Sequence, residues 1–128
     1  MSSKSKHRKA KLKQLTKFLN QSKAELRKYN KTKKLIHLQQ AGEKAWNAYI
    51  YLLEALSGLE IRNHRDISKV AKILAVSKND DDFIELGKET EFLHSFFYEG
   101  VGTDFFVKRS LRRAYKLFSR IRRRYRLY

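Results

Sequence analysis

Leu38, Gly42, Ala45, Tyr49, Leu52 and Leu56 follow one another at steps of four, three, four, three and four residues. Only a helix turns that spacing into a single apolar stripe. Trp46, Ile50 and Leu53 form a second stripe beside the first. A helix that is apolar on more than one face sits centrally in a bundle. The small residues Gly42 and Ala45 imply close approach by a neighbour. Gly58 follows the pattern where a helix ends in a left-handed residue, so a helix is predicted over 33–57. The chain has no proline and five glycines in 128 residues, so little interrupts helix elsewhere.

The same reading predicts four further helices. Leu12, Leu15, Leu19, Leu26 and Tyr29 give a stripe over 10–29, with Asn30 as the turn residue and Thr32 as the next N-cap. After a connection at 59–65, Asp66 starts a short helix with Ile67, Val70, Ala71 and Leu74 inward. Residues 77–82 read as a polar loop in which Asp81 or Asp82 caps a helix carrying Phe83, Leu86, Thr90, Leu93 and Phe97. Gly100 and Gly102 break the chain, and Thr103 caps the last helix. There Val107, Leu111, Ala114, Phe118, Ile121 and Tyr125 repeat the four-three spacing. Residues 1–9 show no apolar periodicity and read as a disordered basic arm. The expected fold is all-α: an antiparallel four- to five-helix bundle over 10–128 as a single domain, with a flexible N-terminal arm.

Charge is unevenly spread. Residues 1–34 hold thirteen Lys/Arg against Glu25 and carry +12; residues 35–107 carry −5; residues 108–128 carry +10 with no acid. Two strongly basic ends around a mildly acidic middle repel themselves, and a polyanion relieves that repulsion by counterion release. The ending FSRIRRRYRLY combines guanidinium groups, which pair with phosphates, with tyrosines that stack on unpaired bases. A membrane-surface helix is the competing reading of such a segment; the matching basic N-terminus favours a wrapped polyanion, and no membrane partner is expected. No apolar run approaches the ~18 residues of a span.

The middle of the chain resembles a known family. AGEKAWNAYIYLLEAL, IRNHRDI and FLHSFFYEG, in that order, look like the archaeal PaREP-type proteins of the HEPN superfamily, over about residues 30–118. The resemblance implies an archaeal source, a four- or five-helix bundle with a long first hairpin, and frequent homodimers. The superfamily includes ribonucleases, toxin components and non-catalytic RNA-binding modules. Its nucleases use an Arg followed by a His with four to six residues between them. None of His7, His37, His64 and His94 has an Arg at that distance upstream; the nearest pair is Arg62 and His64. Metal-free RNA cleavage needs proton-transfer and charge-stabilising groups that converge on one phosphate, so His64, Asp66 and His94 are weak catalytic candidates. The bland alternative makes Asp66 a helix cap and the histidines hydrogen-bonded structural residues.

No cofactor or metal is expected. There is no cysteine, which removes thiolate zinc sites and disulfides and fits a reducing cytoplasm. The three consecutive aspartates lack the alternating ligands and terminal Glu of a calcium loop. GVG at 100–102 is too short for a phosphate loop. The expected function is non-catalytic binding of RNA, in the setting of a ribosome or another ribonucleoprotein. Its residues would be Lys4, Lys6, Arg8, Lys9, Lys11 and Lys13 in the arm and Arg109, Arg112, Arg113, Arg120, Arg122, Arg123, Arg124, Tyr125, Arg126 and Tyr128 at the C-terminus. A HEPN-type ribonuclease or toxin component, a DNA-compacting protein and a protein-interaction module are the alternatives.

Overall fold

The computed structural model describes residues 3–99 and 103–127. They form five helices and no strand: α1 (Ser3–Thr32), α2 (Leu35–Ser57), α3 (His64–Ser77), α4 (Asp82–Glu99) and α5 (Asp104–Arg124). None is long and apolar enough to cross a membrane. The glycines expected to break the chain before α5 lie outside the described residues.

Among the described residues, α2 is the one helix whose backbone closely approaches those of all four others. Its burial shows why. Leu38, Ala41, Ala45, Ala48, Tyr49, Leu52 and Leu53 are essentially inaccessible, which places apolar atoms around most of its circumference. Each large side chain removed from water this way contributes about 1.5–3 kcal/mol. The small residues work as expected. At Gly42 a Cβ would lie 3.2 Å from both Cβ and the carbonyl oxygen of Leu93, so α4 crosses α2 at a distance that only glycine permits without a shift. The α5 stripe is buried in register: Val107, Leu111, Ala114, Phe118 and Ile121 are all at 0 % exposure.

Helix ends depart from the sequence reading in several places. α1 starts at Ser3, about two turns before the expected start at Ala10. The segment expected as an arm is therefore helical from Ser3. His7 Nε2 lies 3.0 Å from Glu60 Oε1, and Lys11 Nζ donates to Glu54 Oε1 and Glu60 Oε2, each at 3.2 Å. These bonds tie the first turns to the end of α2, a long-range attraction that periodicity does not register. The α1–α2 turn uses Lys33, with φ 58°, and Asn30 stays helical. Thr32 does not cap α2 from the N-cap position, which Lys34 occupies without a side-chain bond; Thr32 Oγ1 accepts from the Lys34 amide instead.

Gly58 ends α2 as expected, at φ 75°. α3 starts at His64, capped by Asn63, whose side chain accepts from the Asp66 amide at 3.0 Å while Asp66 accepts from the Arg62 amide at 3.1 Å. Asp66 is thus part of the cap. At α4 the side-chain bond comes from Asp80, which accepts from the Asp82 amide at 3.0 Å. Thr103 occupies the N-cap of α5 but makes no side-chain cap bond.

Gly87 is the tightest glycine of the core. A Cβ there would lie 2.6 Å from the Tyr49 hydroxyl oxygen, which donates to the Phe83 carbonyl at 2.8 Å and is buried. Gly87→Ala should cost about 1–3 kcal/mol of stability in urea unfolding, because a buried ring must move. Tyr49→Phe alone should cost about 1 kcal/mol for the lost bond. Combined, the two should cost clearly less than their sum, because the Phe ring lacks the oxygen that clashes. Strict additivity would show that Tyr49 and Gly87 do not share this contact.

Candidate nucleic-acid interface

Helix α5 has two basic flanks on either side of its buried stripe, and they face different neighbours. On the flank toward α4, Arg120 donates to Asp82 Oδ1 at 2.6 Å. Arg124 donates to Asp80 Oδ2 at 2.5 Å and to Asp82 Oδ2 at 3.1 Å, and Arg113 lies 3.8 Å from Glu89. Acids from α4 and the loop before it therefore neutralise the arginines on this side. The Arg124 guanidinium is held above its ordinary range by those two aspartates.

The other flank faces α1. No Cα of α1 comes within 8 Å of a Cα of α5 among the described residues, and long side chains bridge the gap. Arg122 donates to Thr16 Oγ1 at 3.4 Å, and Ser22 and Tyr115 hydroxyls lie 2.7 Å apart. Tyr29 donates to Asp104 at the far end. The pairing runs antiparallel, and the shallow groove along this seam holds two separate pockets. Ser22 donates to the Ala41 carbonyl at 2.6 Å, which leaves Tyr115 to donate to Ser22. Burial pushes the Tyr115 phenol up to about 12, against opposing pulls from Ser22 and Arg27, so it remains a donor at neutral pH.

Cations line this groove. Lys23, Tyr115, Ser119, Arg122 and Arg123 surround a pocket of about 190 Å³ with Leu19. Toward the start of α5, Lys33, Lys108 and Arg112 line another with Tyr29, Asp104 and Phe105. Beside the first half of α1, Arg8, Lys9 and Lys13 border a shallow apolar pocket with Leu12 and Thr16. Among the described residues, no ion pair joins Lys23, Lys33, Lys108, Arg112, Arg122 or Arg123 to a carboxylate. Instead Lys23 Nζ sits 5.6 Å from the Tyr115 ring centre and Lys33 Nζ 5.4 Å from that of Tyr29.

The structure sorts the sequence-expected residues. Arg112, Arg122 and Arg123 line the groove, whereas Arg8, Lys9 and Lys13 line a separate pocket made of α1 residues alone. Arg113, Arg120 and Arg124 are engaged by acids on the opposite flank, and Lys11 is engaged by Glu54 and Glu60. Lys4 and Lys6 are exposed on the first turns of α1; Arg109 is half-buried, and Arg126 is exposed at φ 56°. Tyr125 is half-buried, its hydroxyl donates to Asp80 at 2.5 Å, and its ring lies 5.7 Å from that of Phe83, so it is occupied within the fold. Tyr128 lies outside the described residues. The sequence reading missed Lys23, Lys33, Lys108 and Tyr115. Lys108, Arg112, Tyr115, Ser119 and Arg122 stand at steps of four, three, four and three, a helical spacing that by itself separates one flank of α5 from the other.

The weak catalytic candidates meet on the other side of the bundle. Trp46 of α2 stacks on His94 at 4.6 Å and on His64 at 5.5 Å, and the two imidazoles lie 5.2 Å apart. His94 Nδ1 lies 2.9 Å from Glu43 Oε2. Asp66 is excluded from this group by its role in the α3 cap. His64 also borders a pocket of about 310 Å³ whose polar rim includes Lys72, Lys88 and Glu91. No group of three or more metal-ligating side chains capable of holding an ion occurs among the described residues.

The α4 flank makes a testable contribution to stability. The Asp80 carboxyl is held below its ordinary value: burial pushes it up, and hydrogen bonds from Tyr125, the Asp82 amide and Arg124 outweigh that push. A carboxylate depressed on folding stabilises the fold above its unfolded pKa, near ~3.9, and the stabilisation is lost as pH falls through the folded value. Thermal melts between about pH 2 and 7 should show Asp80→Asn lowering Tm at neutral pH, with the gap to wild type closing in acid. A constant gap at every pH would mean that Asp80 acts by shape alone.

No family model, curated protein or solved structure matches the chain.

Proposed function

We propose that this protein binds RNA without cleaving it, and that the α1–α5 groove is the binding face. One observation carries this reading: the cations of α5 are divided, with Arg113, Arg120 and Arg124 neutralised by acids of the fold, while Lys108, Arg112, Arg122 and Arg123 face a groove that has Lys23 and Lys33 on its other wall. Unpaired cations held close together favour a ligand with regularly spaced negative charge. Arginine supplies forked donors suited to phosphate. Exposed phenylalanine at the same surface adds a stacking face that suits unpaired bases, which favours RNA with loops over plain DNA duplex. The HEPN-like architecture belongs to the same proposal.

Salt titration tests the face. With about eight phosphates neutralised, log K for a fluorescein-labelled RNA hairpin should fall against log salt with a slope of about −6 to −7. Replacing Arg122 and Arg123 with Ala should flatten the slope by about 1.5 units, whereas replacing Arg120 and Arg124 should change it by less than about half a unit. Equal flattening by both pairs would mean that the α4 flank binds as well. Equal affinity for duplex DNA and hairpin RNA would move the reading to DNA compaction.

A second reading, a ribonuclease, has one geometric observation in its favour. Two imidazoles lie 5.2 Å apart, and one of them is oriented by Glu43, an arrangement that can pass a proton in and out of a reacting group. Purified protein is expected to leave RNA intact over hours, with affinity unchanged in His64→Ala and His94→Ala. Cleavage that disappears in both variants would put the enzyme first.

A further inference from the structure

The groove ends at an aromatic residue that the fold leaves in water. Phe83, Phe96 and Phe118 are at most 1 % exposed, whereas Phe105 is 63 % exposed and Phe106 53 %. The two rings meet edge to face at 5.4 Å, which fixes their relative orientation without covering them. A lone exposed phenylalanine needs no explanation. Phe105 is different in its setting. It lies on the same flank of α5 as Lys108 and Arg112, and with them, Lys33, Tyr29 and Asp104 it lines a pocket of about 380 Å³.

The polar lining of that pocket has a definite charge balance. Three cations, Lys33, Lys108 and Arg112, face one carboxylate, and Asp104 is hydrogen-bonded to Tyr29 and makes no ion pair with them among the described residues. Hydrogen bonding to Asp104, joined by burial, raises the Tyr29 phenol above its ordinary value, so Tyr29 keeps its proton and remains the donor in that bond. The turn at Lys33 takes the left-handed conformation and sets its ammonium over the Tyr29 ring, on the α1 wall of the pocket. An exposed aromatic face beside three cations is complementary to a ligand that is flat and apolar on one side and anionic on the other.

Resting on the RNA-binding reading, we propose that this pocket takes an unpaired nucleotide. Its base stacks on Phe105, and its phosphates lie against Lys33, Lys108 and Arg112. From there the strand follows the groove past Tyr115 and Lys23 toward Arg122, about 21 Å along α5 from Lys108. Phe105 takes the role that the sequence reading gave to Tyr125, whose hydroxyl and ring are occupied by Asp80 and Phe83. A base inside a duplex is already stacked on both faces, so the site selects single-stranded segments, loops and ends.

The test uses the full chain and two RNAs of equal length: a single strand carrying 2-aminopurine at an internal position, and a fully paired duplex. Stacking on an aromatic ring quenches 2-aminopurine, so wild-type protein should quench the single strand on binding. Phe105→Leu keeps an apolar side chain but removes the aromatic face. It should weaken single-strand binding by about tenfold, abolish most of the quench and leave the salt slope unchanged, since no phosphate contact is lost. Duplex affinity should change by less than about twofold, and the far-ultraviolet circular dichroism should match wild type because the side chain is exposed. Failure of wild-type protein to bind either RNA at low salt would remove the groove reading and this one together. RNA binding with undiminished quench and affinity in Phe105→Leu would leave the groove standing and overturn the stacking site. Concentration-dependent self-association that vanishes in Phe105→Leu, with RNA binding unaltered, would also overturn it and assign the face to a second copy of the chain.

Discussion

Helix α2 carries apolar side chains around most of its circumference, and water has to be kept from all of them at once. One neighbour covers a single stripe; α2 needs α1 on one side, α4 across Gly42, and α3 and α5 over the remainder. The other helices then have only one face to bury, and their remaining surface is free to carry charge. Where that charge comes near the core, the fold supplies partners. Glu54 sits on α2 at 4 % exposure. Its two oxygens are satisfied by Lys11 and by the Ile61 amide, which accounts for a buried carboxylate that would otherwise be costly. The same contact holds the first turns of α1 against the end of α2.

The division of α5 follows from what surrounds it. Its stripe faces the core, so its two flanks necessarily face α4 and α1. α4 and the loop before it contribute Asp80, Asp82, Glu85 and Glu89, whereas α1 and the turn after it contribute Lys23 and Lys33. Exposed ion pairs such as Arg120–Asp82 contribute little stability, about 0–1 kcal/mol each. Their larger consequence is electrostatic: they cancel positive potential on one flank and leave it on the other.

Periodicity made the central helix, the α5 stripe and the all-helical class legible, because burial follows spacing within one helix. The start of α1 was not legible. Residues 3–9 are helical, with His7 against Glu60 and, just beyond them, Lys11 against Glu54 and Glu60, and nothing in a lysine-rich segment announces a partner about fifty positions away. The α1–α2 turn was misread for a local reason: Asn is the more usual left-handed residue, but the chain places Lys33 there. The arginines of α5 were legible as one basic set but not as two, since which acids lie opposite depends on how α4 docks. The meeting of His64 with His94 could not be read from spacing, because it depends on both α3 and α4 laying an imidazole on Trp46; the family resemblance alone had put the two motifs in one bundle.

Like charges on its two walls push them apart, so the groove has to be held together by something other than charge. Three side-chain bridges hold it at intervals: Arg122 to Thr16, Tyr115 to Ser22 and on to Ala41, and Tyr29 to Asp104. The middle bridge is the one tied to a third helix, and Ser22 is fully buried at that point, so the spacing between α1 and α5 is fixed by the core and not by the surface. Lys23 and Lys33 rest on the rings of Tyr115 and Tyr29, which themselves make two of the bridges. Cation–π contacts of this kind contribute about 0.5–1 kcal/mol at exposed sites and neutralise nothing. They hold the ammonium groups in place while leaving their full charge available. The tyrosines thus set the width of the groove and the position of its cations together.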